Sequence, residues 1–298
     1  MDYLPFEKYL EGLDRSSKTV EGYLQDLRLF EKWFEQTNGE KFSPKGFTSI
    51  DGREYRSYLL TVEKAAAATI NRKIAALRAF GAWTVSSKYF DTNPISSLHG
   101  IKEQSAGIRW LDKKEQSALL RQLDKDFNAA KTVSAKRNAI RNRSIVILLL
   151  NSGLRIGELC DLTMDDVDLS ERKGSIIVRE GKGRKMRTIP LNLHARAALT
   201  EWISIRGSTI HNEVFSGQRG NALTPNAIQR FLDELARICN IEATPHSLRH
   251  TFCKNLINAG VTIEKVAAIT GHESIQSTRR YIEPSANDLE RAVATLEN

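Results

Sequence analysis

The sequence predicts a mainly α-helical protein of two domains: an all-helical first domain, then a helical second domain with a small antiparallel β-sheet. Three observations carry this. The first hundred residues place their apolar positions only at helical spacing, a polar stretch at 102–110 interrupts the chain, and β-branched runs around a glycine-rich turn occur only beyond it. The 298 residues suffice for two domains. The predicted boundaries are 1–101, a linker at 102–110 containing Gly107, and 111–298.

Within 17–37, Val20, Tyr23, Leu24, Leu27, Phe30, Trp33 and Phe34 form one helical stripe, with Ser17 as the predicted N-cap. A second helix is predicted over 48–62, with Tyr55, Tyr58 and Leu59. A third spans 65–89, burying Ile70, Ile74, Leu77, Phe80 and Trp83, and Asn93-Pro94 bars its continuation. The aromatic residues read as core. In the second domain, 144–150 (SIVILLL) is a buried element running into Asn151-Ser152-Gly153. Segments 175–179 and 186–191 read as the strands of a hairpin around Gly181-Lys182-Gly183-Arg184. Helices return over 195–205, 224–239, 247–258 and 263–270.

Composition narrows the function. With 41% apolar and 27% charged residues the chain is not a disordered one. A net charge of +8 and a pI near 9.4 favour an anionic partner, nucleic acid first. Residues 104–298 hold 29 basic and 22 acidic side chains, whereas 1–103 hold 15 and 14, so electrostatic work belongs to the second domain. Three cysteines without CxxC spacing argue against a disulfide framework or a cysteine zinc site. The longest apolar run, 145–150, has six residues, far short of the roughly 20 of a membrane span, and no apolar signal core opens the chain. A cytoplasmic location is expected.

Two familiar motifs fail. Gly181-Lys182 lacks the P-loop's preceding glycine spacing and has Gly183 where Ser or Thr would hold Mg²⁺. His246 and His250 stand at i, i+4, but Ser247 replaces the glutamate of a zinc protease and Arg249 lies between them. No carboxylate cluster suits a two-metal site, so neither metal nor cofactor is expected.

What remains is cationic and protic: Arg155 in Gly153-Leu154-Arg155-Ile156-Gly157-Glu158, Lys182 in the hairpin turn, His246-Ser247-Leu248-Arg249-His250, Gly271-His272, and Tyr281 nine residues beyond His272. Arg155, Lys182, His246, Arg249, His272 and Tyr281, in that order, resemble the tyrosine recombinase (phage-integrase) family. The likeness covers nearly the whole chain and is greatest to Xer-type recombinases and transposon-encoded resolvases. It implies a core-type DNA-binding domain followed by a catalytic domain, and site-specific recombination through a 3′-phosphotyrosyl intermediate. It also implies duplex DNA with an inverted-repeat site as substrate, and a homo-tetramer on two such sites. A second recombinase or accessory proteins could join it.

The chemistry agrees with the likeness. A free phenol is only about 0.1% ionised at neutral pH, so Tyr281 needs a base, and His246 is the expected one. Arg155 and Arg249 offer planar forks for the non-bridging phosphate oxygens. Lys182 can protonate the leaving 5′-oxygen, with Lys185 as its rival, and His272 can donate a further hydrogen bond. Glu158 is expected to orient Arg155 or His246. Arg184, Lys185 and Arg187 read as phosphate contacts or solvated charges. Thr69, Asn71, Arg72 and Lys73, at the start of the third helix, are candidates for DNA contact, a solvated basic face being the alternative. His250 reads as packing or capping. Beyond Pro284, Ser285 could cap a tail helix over 285–298 whose stripe Leu289, Val293 and Leu296 docks in its own domain or in a neighbouring subunit. Two rival functions are a type IB topoisomerase-like enzyme and a non-catalytic DNA-binding regulator.

Overall fold

Ser16 opens the long helix of the first unit: its Oγ accepts from the Thr19 amide at 3.2 Å, one residue ahead of the cap expected at Ser17. Gly39, at φ 71°, ends that helix in the left-handed conformation that favours glycine. The computed structural model describes the chain apart from residues 14, 103–107, 171, 180–185, 208–211, 218–219, 273, 283–292 and 294–298. It divides into two units, Met1–Ala106 and Gly107–Asn298. Most of the expected linker, the hairpin turn with Lys182, Arg184 and Lys185, and the expected tail helix except Val293 lie outside the described residues.

The described residues of the first unit form helices α1 (Leu4–Gly12), α2 (Ser17–Asn38), α3 (Ser49–Thr61) and α4 (Ala67–Ser86). Its core is aromatic, as the sequence predicts. The rings of Trp33, Phe42, Phe47 and Tyr55 stand 5.7, 5.3, 5.6 and 5.1 Å from that of Phe30, mostly edge-on, which is how ring quadrupoles prefer to meet. Helix α3 starts at a capping box, with the Thr48 amide donating to Asp51 at 2.8 Å. Helix α4 ends before the expected residue 89, and Lys88 takes a left-handed φ of 59°.

The described part of the second unit holds α5 (Lys113–Ala129), α6 (Val133–Ser152), α7 (Ile156–Asp161), α8 (Leu193–Ile205), α9 (Pro225–Cys239), α10 (Pro245–Asn258), α11 (Ile263–Thr270) and α12 (Ile275–Arg279). Strands β1 (Val167–Leu169), β2 (Gly174–Val178) and β3 (Arg187–Pro190) pair antiparallel in the order β1-β2-β3, with Ile176 opposite both Val167 and Ile189. The hairpin is the expected one; β1 is an addition. The apolar run 144–150 is the second half of α6, and it is apolar on several faces because α5, α8 and α10 all pack against that helix. Ile145, Leu149, Ile176, Ile189, Leu199, Trp202, Phe215 and Leu248 meet in one core, each no more than 1% exposed. Thr224 and Thr244 are N-caps, each followed by a proline whose missing N–H costs nothing at a first helical position.

The three cysteines are free thiols. Among the described residues no helix is long and apolar enough to cross a membrane.

Candidate active site

Helix α10 is the backbone of the site. It brings His246, Arg249 and His250 together and continues through Cys253 and Lys254 on the next turn. Opposite them, Gly153 closes α6 at φ 64°, and a Cβ there would come within 2.4 Å of Phe252, so only glycine lets α6 end against α10. The chain then turns through Arg155, the N-cap of α7, to Glu158 three residues on.

Three guanidinium groups converge on the end of α11. Arg187 Nε donates to the Ile269 carbonyl at 3.0 Å, Arg249 Nη2 to Thr270 at 2.7 Å, and Arg155 Nη2 to Gly271 at 2.9 Å. The last carbonyls of a helix have no partner within it and carry the negative end of its dipole, so cations are stabilised there. Arg249 also donates to the Gly153 carbonyl. Gly271, at φ 65°, makes room: a Cβ would lie 2.8 Å from Arg187 Nη1.

Glu158 ties this cluster together. Its carboxylate accepts from the Arg155 amide and Nη1, both at 2.7 Å, and from Arg187 Nη1 and Nη2 at 3.1 and 2.8 Å. Burial alone would raise its pKa, but the Arg187 and Arg155 donors outweigh it and hold the carboxyl below the usual range. So Glu158 is hydrogen-bonded to Arg155, and its second partner is Arg187 rather than His246. Arg187, only 10% exposed at its side chain, is an internal member of the cluster and not a solvated charge.

Tyr281 follows α12 and is 2% exposed. Its Oη lies 2.5 Å from His250 Nδ1, the His272 ring stacks on it with centroids 6.1 Å apart, and Lys254 Nζ donates to its carbonyl at 3.3 Å. Burial, then the neighbouring Cys253 thiol, push the phenol's pKa up. His272 Nδ1 stands 2.8 Å from Thr278 Oγ1. The His246 ring is 4.2 Å from that of His250 and nearly perpendicular to it, and His246 is itself exposed.

The site is strongly cationic, and its titrations follow. Partial desolvation of its ring, then Arg249 and Arg155, lower the pKa of His246. Burial, then Arg249, Arg155 and Arg187, hold His272 down to about 4. Arg249 itself falls to about 10, chiefly by burial and then by Arg155, and stays charged at neutral pH.

Of the expected residues, Arg155, Glu158, His246, Arg249, His272 and Tyr281 stand in this one cluster. His250, read from sequence as packing, is in it too, and touches the phenol. Its signal was its place one helical turn from His246, on the same face. The candidates on α4 have internal partners. Asn71 donates Nδ2 to the Ile101 carbonyl at 2.9 Å and accepts from the Ile101 amide at 2.7 Å. Arg72 pairs with the buried carboxylate of Asp26 while remaining 52% exposed, and Lys73 Nζ sits 5.8 Å from the Tyr55 ring centre. Thr69 is half-buried.

The fold and this cluster define a two-unit, mainly α-helical protein with arginines, histidines and a tyrosine gathered in the second unit. Residues 109–288 match the phage integrase family and residues 5–88 the phage integrase N-terminal SAM-like domain. The TnP I resolvase of Bacillus thuringiensis is 30% identical over 300 residues, covering 98% of each chain. Tyrosine recombinase XerC of Myxococcus xanthus is 32% identical, covering 96% of this chain and 94% of its own. Among solved structures, a XerH site-specific recombinase bound to palindromic difH substrate aligns with a TM-score of 0.75 at 21% identity, over 94% of this chain and 80% of that one. A Tn1549 transposon integrase in complex with transposon right-end DNA gives 0.74 at 22%, over 97% and 96%; these two support the fold. The chain belongs to the phage integrase family: it is a tyrosine recombinase, an enzyme that cleaves and rejoins DNA without a metal ion.

Proposed function

We propose that this recombinase breaks duplex DNA by attack of Tyr281, and that the observation carrying the assignment is the gathering of Tyr281, Arg155, Arg249, His246 and His272 around one point of the second unit. Arg155 and Arg249 neutralise the non-bridging oxygens of the scissile phosphate, where charge grows in the transition state. Their pairing with Glu158 and with main-chain carbonyls supports this, because donors already held in place need no reorganisation during the reaction. His272 donates a further hydrogen bond. His246, on α10, is the base for the phenolic proton. Lys182, between β2 and β3 in the sequence, protonates the departing 5′-oxygen; Lys185 is its rival. The Tyr281 Oη–phosphorus bond replaces the phosphorus–O5′ bond, which leaves a 3′-phosphotyrosyl linkage, and a partner strand's 5′-hydroxyl later reverses the step. The energy of the broken bond is thereby kept, and no nucleotide cofactor is needed.

The substrate in this reading is double-stranded DNA with an inverted-repeat site, bound by a tetramer, in the cytoplasm at the nucleoid. Residues 1–101 contact DNA, 102–110 link the units, 111–298 catalyse, and the tail 285–298 docks in a neighbouring subunit. DNA in the complexes of the related integrase and XerH supports the substrate class. A suicide substrate nicked near the site tests the reading. The native enzyme should yield a covalent DNA adduct on Tyr281 and joined partner strands, and Tyr281→Phe should bind the DNA but form no adduct. An adduct on the phenylalanine variant removes Tyr281 from the role, and resealing without a new partner favours the topoisomerase-like reading.

A further inference from the structure

One group that the family motif does not supply touches the reacting oxygen. His250 Nδ1 lies 2.5 Å from Tyr281 Oη, and the His250 ring is followed, 4.2 Å away, by the exposed ring of His246. The order from the interior outward is therefore phenol, His250, His246, solvent. The nucleophile is fixed at its other end as well, where Lys254, one turn further along α10, donates to the Tyr281 carbonyl. Tyr281 is thus held against α10 with its hydroxyl on a ring nitrogen.

We propose that His250 is a further catalytic residue, which accepts the Tyr281 phenolic proton at Nδ1 and passes it through His246 to solvent. The proposal rests on Tyr281 being the nucleophile. In the step, the Tyr281 Oη–phosphorus bond forms as the phosphorus–O5′ bond breaks. The phenolic proton goes to His250, and the 5′-oxygen takes its own proton from the general acid.

The surroundings explain why such a base is silent until DNA arrives. The charged and titratable groups facing His250 are His246 and Arg249 on its own helix, His272 after α11, and Arg280 and Tyr281 after α12. Burial first, then these neighbours, push its pKa down to about 4, so at neutral pH the ring is uncharged and Nδ1 can accept. The phenol's pKa is pushed the opposite way by burial and by Cys253. Without substrate the transfer is therefore steeply uphill. A phosphate anion entering the cluster adds the one charge sign it lacks in excess, which raises the basicity of His250 and stabilises the cation it becomes. Proton transfer is then tied to occupation of the site.

Single-turnover cleavage of the nicked substrate by the full chain tests this. His250→Asn retains an acceptor near the Nδ1 position but no basic nitrogen. It should bind the site within about threefold of native affinity and cleave at least about a hundredfold slower, the usual scale for loss of a general base. His250→Gly should be similarly slow and should recover at least about tenfold on adding imidazole, in proportion to the unprotonated imidazole present. If His250→Asn cleaves within threefold of the native rate, or imidazole fails to restore His250→Gly, the proposal is overturned. Rescue confined to His246→Gly would make His246 the direct acceptor. Failure of the underlying reading looks different: the native enzyme's DNA-linked peptide would then not contain Tyr281.

Discussion

Arg187 and Glu158 meet through both Nη atoms of the guanidinium, at 3.1 and 2.8 Å, with their side chains only 10% and 13% exposed. They stand 29 residues apart in sequence. The pair joins the β-sheet to the start of α7 and thereby fixes Arg155, which shares the same carboxylate.

Arg187→Ala leaves that carboxylate largely out of water without its main partner. It should destabilise the protein by on the order of 3 kcal/mol in denaturant unfolding. Because the native pKa of Glu158 is depressed, its stabilising effect is complete above the ordinary carboxyl value and disappears as pH falls through the depressed one. Arg187→Ala should therefore lose more stability at pH 7 than at pH 3. An equal loss at both would show that the carboxylate is not the group concerned.

Arg155→Ala and Arg249→Ala should each slow covalent capture of DNA by on the order of 10²–10³, the scale for removing one preorganised electrostatic donor. Binding to a half-site, measured at fixed salt, should change far less because other phosphate contacts remain. A matching loss of binding and cleavage would demote both residues to ordinary DNA contacts.

Lys182→Ala should be slow on ordinary DNA and close to native when sulfur replaces the leaving 5′-oxygen, since a thiolate departs without a proton. The same defect on both substrates would exclude it as the acid, and Lys185→Ala would be the next variant to measure.

Asn71→Ala removes two hydrogen bonds to the Ile101 main chain. We expect a stability loss of about 1–2 kcal/mol from the unmade bonds, with half-site affinity and its salt slope little altered. Loss of discrimination between half-site sequences at unchanged stability would instead restore Asn71 as a base-reading residue.

What was legible in the sequence was local. Caps, helical stripes and the hairpin lie within a few residues of one another, and the order Arg155, His246, Arg249, His272, Tyr281 could be matched to a family before any geometry was known. The partner of Arg187 could not, because nothing near a strand residue announces a carboxylate on a distant helix. Asn71 and Arg72 likewise looked like a basic helix face, while their partners, Ile101 and Asp26, lie 30 and 46 residues away. Helix α1 offers only Phe6 and Leu10 as fully buried positions, too few for a period. Helix α5 differs in that Asp112 and Glu115, which form a capping box, mark its start in the sequence. Strand β1 has three residues, less than one cycle of convincing alternation.

The end of α11 has an evolutionary consequence. Its three arginine acceptors are main-chain oxygens of Ile269, Thr270 and Gly271, so the exposed side chains along that helix can change while the anchoring points persist. Length is a different matter. One residue inserted or deleted within α11 would turn its terminus by about 100° and shift it by about 1.5 Å, scattering all three anchors together. Variation in this helix should therefore accumulate as substitutions and almost never as insertions or deletions.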